Sequence, residues 1–338
     1  MTAQNAFAKL LKGTLLTKED IIALLENEEI NEALQKAAQE KAKKQFGNGI
    51  YLRGLIEISS FCKNDCFYCG LRCSNKNAAR YRLTEEEILS ACKIGDAEGI
   101  RTFVLQGGED PWFTKERVVG IVKTIKTKYP HAAVTLSLGE RSREDYEAFR
   151  KAGADRYLLR HETATPTHYE NLHPSAMRLA DRIDCLHTLK ALGYQVGAGF
   201  MVGSPYQTME HIAEDLLFLQ DFRPHMIGIG PFLPQKDTPF GKEPPGSLAL
   251  TLKLISILRL MHPRVLLPAT TALATLSETG REQGILRGAN VVMPNLSPPS
   301  VRGKYSIYDK KVFEGLTEVR EKIASIGYKI LNVRGDYQ

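Results

Sequence analysis

From about residue 48 onward the chain alternates short apolar runs with longer amphipathic stretches. The apolar runs span 51–59, 102–106, 133–138, 156–160, 195–201, 226–230, 265–269 and 290–293. Several are continuous in their hydrophobicity, the pattern of parallel strands buried on both faces. Between and after them, helical periodicity predicts helices over 85–98, 115–128, 143–152, 176–192, 209–221, 248–261, 277–287 and 310–326. Eight strands each followed by a helix predict an α/β fold, a (β/α)8 TIM barrel. An open doubly wound sheet is the alternative. Residues 1–47 pattern as an N-terminal helical extension. Thr17 is placed to cap a first helix, with Asp20 three residues on, and a second helix covers about 31–44. No repeat or linker divides 48–338, which reads as one barrel with a C-terminal helical segment; the Pro/Gly patch at 239–246 reads as a surface loop.

A barrel predicts where chemistry sits: at the C-terminal ends of the strands. The polar residues that interrupt the apolar pattern gather there. Cys62, Cys66 and Cys69 follow the first strand, and Gln106, Gly107, Gly108, Glu109 and Asp110 follow the second. Arg160, His161 and Glu162 follow the fourth, and Thr270 and Thr271 the seventh.

Composition narrows the class. A chain of 338 residues, 43% hydrophobic, is large enough to bury a core without disulfide staples. No apolar run approaches the roughly 18 residues of a membrane span, and 1–16 lacks the core of a signal peptide. The expected compartment is the cytoplasm. The net charge of +6 is spread along the chain, and no zinc finger or basic arm supports nucleic-acid binding. The short basic run around Lys41, Lys43 and Lys44 reads as a solvated helix face.

Cysteine supplies the sharpest signal. Four of the six, Cys62, Cys66, Cys69 and Cys73, fall within twelve residues, which in a cytosolic chain reads as metal binding before disulfides. The spacing Cys62-x3-Cys66-x2-Cys69 suits a [4Fe–4S] cluster: three thiolates hold three irons and leave one open to a small ligand. Tyr68 is placed either to pack on such a ligand or to cover the loop. A zinc site that also recruits Cys73 is the competing reading, although zinc motifs usually draw ligand pairs from separated segments. Cys92 and Cys185 fall in predicted helices and read as buried thiols.

The run Arg53-Gly54-Leu55-Ile56-Glu57-Ile58-Ser59, followed by the cysteine loop and Gly70-Leu71-Arg72, resembles the biotin synthase-like branch of the radical S-adenosylmethionine (SAM) proteins. Further runs resemble HydE, a family of [FeFe]-hydrogenase maturases: Leu105-Gln106-Gly107-Gly108-Glu109-Asp110-Pro111, Thr135-Leu136-Ser137-Leu138-Gly139-Glu140, Leu159-Arg160-His161-Glu162-Thr163-Ala164, and Pro268-Ala269-Thr270-Thr271-Ala272. The resemblance covers about 50–308. It implies a SAM-bound [4Fe–4S] cluster, a reducing electron donor, and a small thiolate-bearing iron complex with CO and cyanide as substrate, with the maturases HydG and HydF as partners. By the same resemblance Tyr68, the 106–110 turn, Glu162, Arg182 and Met201 would meet SAM, and Gly199 and Gly203 would let its nucleoside approach the backbone. Arg53, Arg156, Arg160, Thr270, Thr271, Met293, Tyr305 and Tyr308 would line the substrate cavity.

Arginine forks suit anions, and arginines inside a barrel are costly unless they meet anions or carboxylates. A simpler reading pairs Arg156 or Arg160 with Glu57 or Glu162. Residues 296–338 contain no cysteine, so no second three-cysteine cluster is expected. Two other readings remain open at this stage. One is a radical SAM mutase similar to methylornithine synthase; the other is a non-catalytic iron–sulfur carrier, which would have no need of SAM-facing groups.

Overall fold

The computed structural model describes residues 2–338. Three helices come first: α1 (Ala3–Lys12), α2 (Lys18–Glu26) and α3 (Asn31–Phe46). The expected cap is present, because the Thr17 hydroxyl accepts from the Asp20 N–H while Asp20 accepts from the Thr17 N–H. These helices pack against the outer helices α9 (Met209–Phe222) and α10 (Leu248–Met261). Lys253 on α10 reaches across to donate to the carbonyls of Leu25 and Asn27.

The barrel wall is parallel throughout. Its long sheet runs β2 (Gly54–Ser59), β3 (Thr102–Gly107), β4 (Ala133–Ser137), β5 (Arg156–Leu158), β6 (Gln195–Ala198) and β8 (Met226–Ile227). Closure uses single bridges: Met226 to Leu266, Pro268 to Val291 on β10 (Val291–Val292), and Leu55 to Asn295. The seventh expected strand, 265–269, is therefore present as a connecting segment held by bridges, without a ladder of its own. The first expected strand is broken at Arg53, and its lower part, β1 (Gly49–Leu52), pairs with β10 on one side and with β11 (Lys329–Leu331) on the other. Two short strands, β7 (Met201–Val202) and β9 (Gly230–Pro231), extend the wall at the mouth.

Helices fill the gaps as the periodicity predicts: α4 (Glu85–Ala97), α5 (Lys115–Lys128), α6 (Arg143–Ala152), α9 and α10 agree within about one residue. Three expectations need correction. The stretch 176–192 holds α8 only from Leu179–Ala191, because Pro174 separates it from an additional helix, α7 (Pro166–Leu172). The stretch 277–287 holds α12 (Gly280–Leu286), preceded by α11 (Thr271–Leu276). The last helix, α14 (Leu316–Ser325), starts after Gly315, six residues later than expected; before it, beyond the one-turn α13 (Pro299–Arg302), the chain crosses the barrel mouth as a strap over 303–315.

The bottom of the barrel is plugged by Arg156, which corrects its expected place in the cavity. Its guanidinium is fully buried and donates to the Thr102 hydroxyl, Gln195 Oε1, the Arg334 carbonyl and Asp336 Oδ1 at 2.7–3.1 Å. Thr102, Arg156 and Gln195 are the first residues of their strands, so the group lies at the end opposite the mouth. Arg156→Met should lower stability by roughly 3 kcal/mol, since it leaves Asp336 and Thr102 without their buried partner. The midpoint of urea unfolding checks this; an unchanged midpoint would remove Arg156 from the role of plug.

Candidate active site

The cysteine loop leaves β2 at the barrel mouth and is zipped to the turn after β3. The Lys63 N–H donates to the Glu109 carbonyl at 2.9 Å, and the Glu109 N–H lies 3.3 Å from Cys62 Sγ. Gly108 is required at this seam, because a Cβ there would stand 2.2 Å from the Phe61 carbonyl oxygen and 2.7 Å from Cys62 Cβ. Asp65 anchors the outer side of the loop: it accepts two bonds from Arg72 and two from Ser74, and the Arg72 guanidinium holds its carboxyl at about 2. Arg80 ties the loop's return through the carbonyls of Ser60, Leu71, Arg72 and Asn75.

Cys62, Cys66 and Cys69 all line one cavity of about 380 Å3 at the mouth. Burial pushes all three thiols up, Cys69 to about 12, and neighbouring cysteines add to the effect. Among the described residues no three His, Cys, Asp or Glu side chains converge tightly enough for a single metal ion. Three thiols spread around one cavity fit a polynuclear cluster, whose irons present separate corners, better than a zinc ion with all its sulfurs about 2.3 Å away. Cys73 is exposed and does not line the cavity.

Beside the cysteines stands a wall of paired charges. Arg160 Nη2 contacts Glu162 Oε2 at 2.5 Å, and Arg182 Nε lies 2.6 Å from Glu140 Oε1. Glu162 adopts a left-handed backbone, φ 67°, a strained conformation for a non-glycine residue. It is held there by its own N–H to the Gly199 carbonyl, while the Gly199 N–H bonds Nδ1 of the buried His161. His161 thus acts from behind the wall and does not line the cavity. Tyr68 donates to Nε2 of His173, whose Nδ1 donates in turn to the Tyr169 carbonyl; burial lowers His173 to about 3 and keeps it neutral. Gln106, Gly107, Gly108, Glu109 and Met201 complete this half of the cavity.

The other half is lined by Thr270, Thr271, Met293, Tyr305 and Tyr308, by Glu57, which the sequence offered only as an arginine partner and which pairs instead with Lys311, and by Lys311, which the sequence did not single out. Lys311 gave no signal, since Asp309-Lys310-Lys311 reads locally as solvated. Arg53 lies lower in the barrel, off the cavity wall, with one Nη 2.8 Å from Met226 Sδ and its other two nitrogens buried without a partner. Gly199 and Gly203 also differ from expectation: a Cβ at Gly199 would strike the Gly228 carbonyl and one at Gly203 the Gly246 backbone, so these glycines serve packing between segments.

A family model described as "Radical SAM superfamily" matches residues 56–219. Over 282 residues the chain is 48% identical to the [FeFe] hydrogenase maturase subunit HydE of Thermotoga maritima, covering 83% of this chain and 80% of that protein. The chain belongs to the HydE family of radical SAM enzymes. The 3-methylornithine synthase of Methanosarcina acetivorans is 30% identical over 93% of this chain and 89% of its own length. Among solved structures, methylornithine synthase superposes with a TM-score of 0.85 at 29% identity, covering 96% of this chain and 97% of that one. HydG superposes at 0.84 and 22% identity, covering 98% of this chain and 77% of that one, and so shares the fold. The radical SAM barrel expected from the strand pattern is the fold observed, and a [4Fe–4S] cluster and SAM are the cofactors of this family. The donor set fits them: three part-buried thiols lining a cavity with both cationic and anionic groups.

Gly108→Ala should displace the cysteine loop by its clash with Phe61 and Cys62. We expect at least a twofold loss of bound iron and sulfide after reconstitution, measured by iron assay and visible absorbance. Full cluster content would show that the seam is not needed to shape the loop.

Proposed function

We propose that this protein reductively cleaves SAM and uses the resulting radical on a small, thiolate-bearing iron complex with CO and cyanide, as a step in building the [FeFe]-hydrogenase active site. The observation that carries the proposal is the sharing of one barrel-mouth cavity by three cluster cysteines and a wall of paired charges. An iron–sulfur carrier would have no use for that wall.

Cys62, Cys66 and Cys69 would hold the cluster. When bound, the cluster supplies an open iron for the amino-acid end of SAM and the electron that breaks its sulfonium bond. The chain's own residues do the rest. Gln106, Gly107, Gly108 and Glu109 form the turn against the cluster, and Glu162 and Arg182 present a carboxylate and a guanidinium to a ligand that carries both charges. Tyr68, fixed by His173, and Met201 close the apolar side. Arg160, Thr270, Thr271, Met293, Tyr305 and Tyr308 face the volume left for the substrate. The two unpartnered nitrogens of Arg53 support an anionic group deeper in the barrel.

A lysine-rearranging mutase is disfavoured by the state of Glu57. A lysine side chain would need a free carboxylate, and Glu57 is already spent on Lys311 and Asn295. HydG as source of the substrate and HydF as acceptor of the product, all in the cytoplasm, complete the reading. No helix of the described residues is long and apolar enough to cross a membrane.

Anaerobic reconstitution with iron and sulfide, followed by reduction in the presence of SAM, should give a brown protein that releases 5′-deoxyadenosine. Cys66→Ala should lose both the colour and the product, and SAM cleavage by that variant would overturn the cluster assignment. A hydrogenase maturation mixture lacking this protein should yield inactive hydrogenase; full activity without it would overturn the substrate assignment.

A further inference from the structure

Lys311 stands in the strap over 303–315, yet its side chain is only 8% exposed and lines the cavity. It is the only lysine on that wall among the described residues. Its ammonium donates to the Glu57 carboxylate and lies 3.4 Å from the Tyr305 carbonyl oxygen, 4.9 Å above the centre of the Tyr305 ring. An ammonium has three protons to donate. Two are used, and the third has no acceptor among the described residues.

The partners of Lys311 are themselves fixed. Glu57 is 1% exposed, and its second oxygen accepts from Asn295 Nδ2 at 2.8 Å. The Tyr305 hydroxyl accepts from Gln106 Nε2 at 3.3 Å, which links this wall to the turn beside the cysteine loop. The strap that carries Lys311 is tied to the mouth at other points: the Gly70 N–H donates to the Ile307 carbonyl, the Asp309 N–H to the Pro234 carbonyl, and the Lys236 N–H to Asp309. Desolvating an ammonium is costly, and a buried pair returns that cost only when the remaining protons are satisfied. A cavity-lining cation with one unspent proton is therefore a place for an anionic acceptor.

We propose that Lys311 is a substrate-binding residue that receives an anionic group of the substrate, a carboxylate in the first instance, and that Glu57 positions it. The proposal rests on the reading of the reaction given above and concerns only the half of the cavity away from the cluster. It also explains why a charged side chain is carried into the barrel by a loop: the strap delivers the cation from the mouth side and brings Tyr305 and Tyr308 with it.

The test uses reconstituted holoenzyme in a maturation mixture in which HydG makes the thiolate-bearing iron complex in situ, with that supply varied. Lys311→Met should raise the supply needed for half-maximal hydrogenase activation about tenfold, the loss of one charge-assisted contact. Lys311→Arg, which keeps the charge, should stay within about threefold, and ethylammonium should restore part of the loss in Lys311→Ala. Lys311→Gln keeps donors for Glu57 and Tyr305 without the charge; it decides the matter if the methionine variant loses its cluster, and it too should show about a tenfold shift. Activation by Lys311→Gln at the wild-type supply would overturn the proposal, as would a failure of Lys311→Arg equal to that of Lys311→Gln. If wild-type protein does not respond to the supply at all, the functional reading fails and not the role of Lys311.

Discussion

The constraint on which this structure turns is the cost of placing charge inside a barrel. A guanidinium, ammonium or carboxylate removed from water is tolerated only when paired and hydrogen-bonded. The interior meets that condition at three levels. At the bottom, Arg156 is spent entirely on Thr102, Gln195, Arg334 and Asp336. At the mouth, Arg160 faces Glu162, and Arg182 faces Glu140. On the wall away from the cluster, Lys311 faces Glu57. Unspent capacity is left on Arg53, with two unpartnered nitrogens, and on Lys311, with one proton.

That distribution separates scaffold from site. Arg334 and Asp336 hold the Arg156 plug, so this segment is part of the barrel's closure at the bottom. The strap over 303–315 performs the corresponding task at the mouth and contributes four cavity residues, Tyr305, Ile307, Tyr308 and Lys311. Between the two, the wall closes by single bridges around 265–269 and Asn295. Buried Arg259 reinforces that region through the carbonyls of Gly288, Pro263 and Val265 and through Asn290.

The two ligand regions are not independent. Gln106 belongs to the turn beside the cluster loop and donates to Tyr305 on the strap. Gly70, one residue past the last cluster cysteine, bonds Ile307 on the same strap. The cysteine loop and the strap are thereby joined through backbone and side-chain bonds of ordinary length.

The sequence alone determined the strands, most of the helices and the cluster motif, because each is encoded locally. Continuous apolar runs dictate buried parallel strands, 3.6-residue periodicity dictates their covering helices, and a cysteine spacing within eight residues needs no tertiary information to be read. It also placed Cys62, Gln106, Arg160 and Thr270 at the mouth, since strand ends follow from strand assignments. Only the tertiary structure decided which arginine faces the cavity and which faces the floor. Arg156 and Arg160 lie four residues apart around one strand and differ in role because one begins the strand and the other follows its end. Lys311 was illegible for a related reason: its neighbours read as solvated loop, and its burial depends on Glu57, 254 positions earlier in the chain.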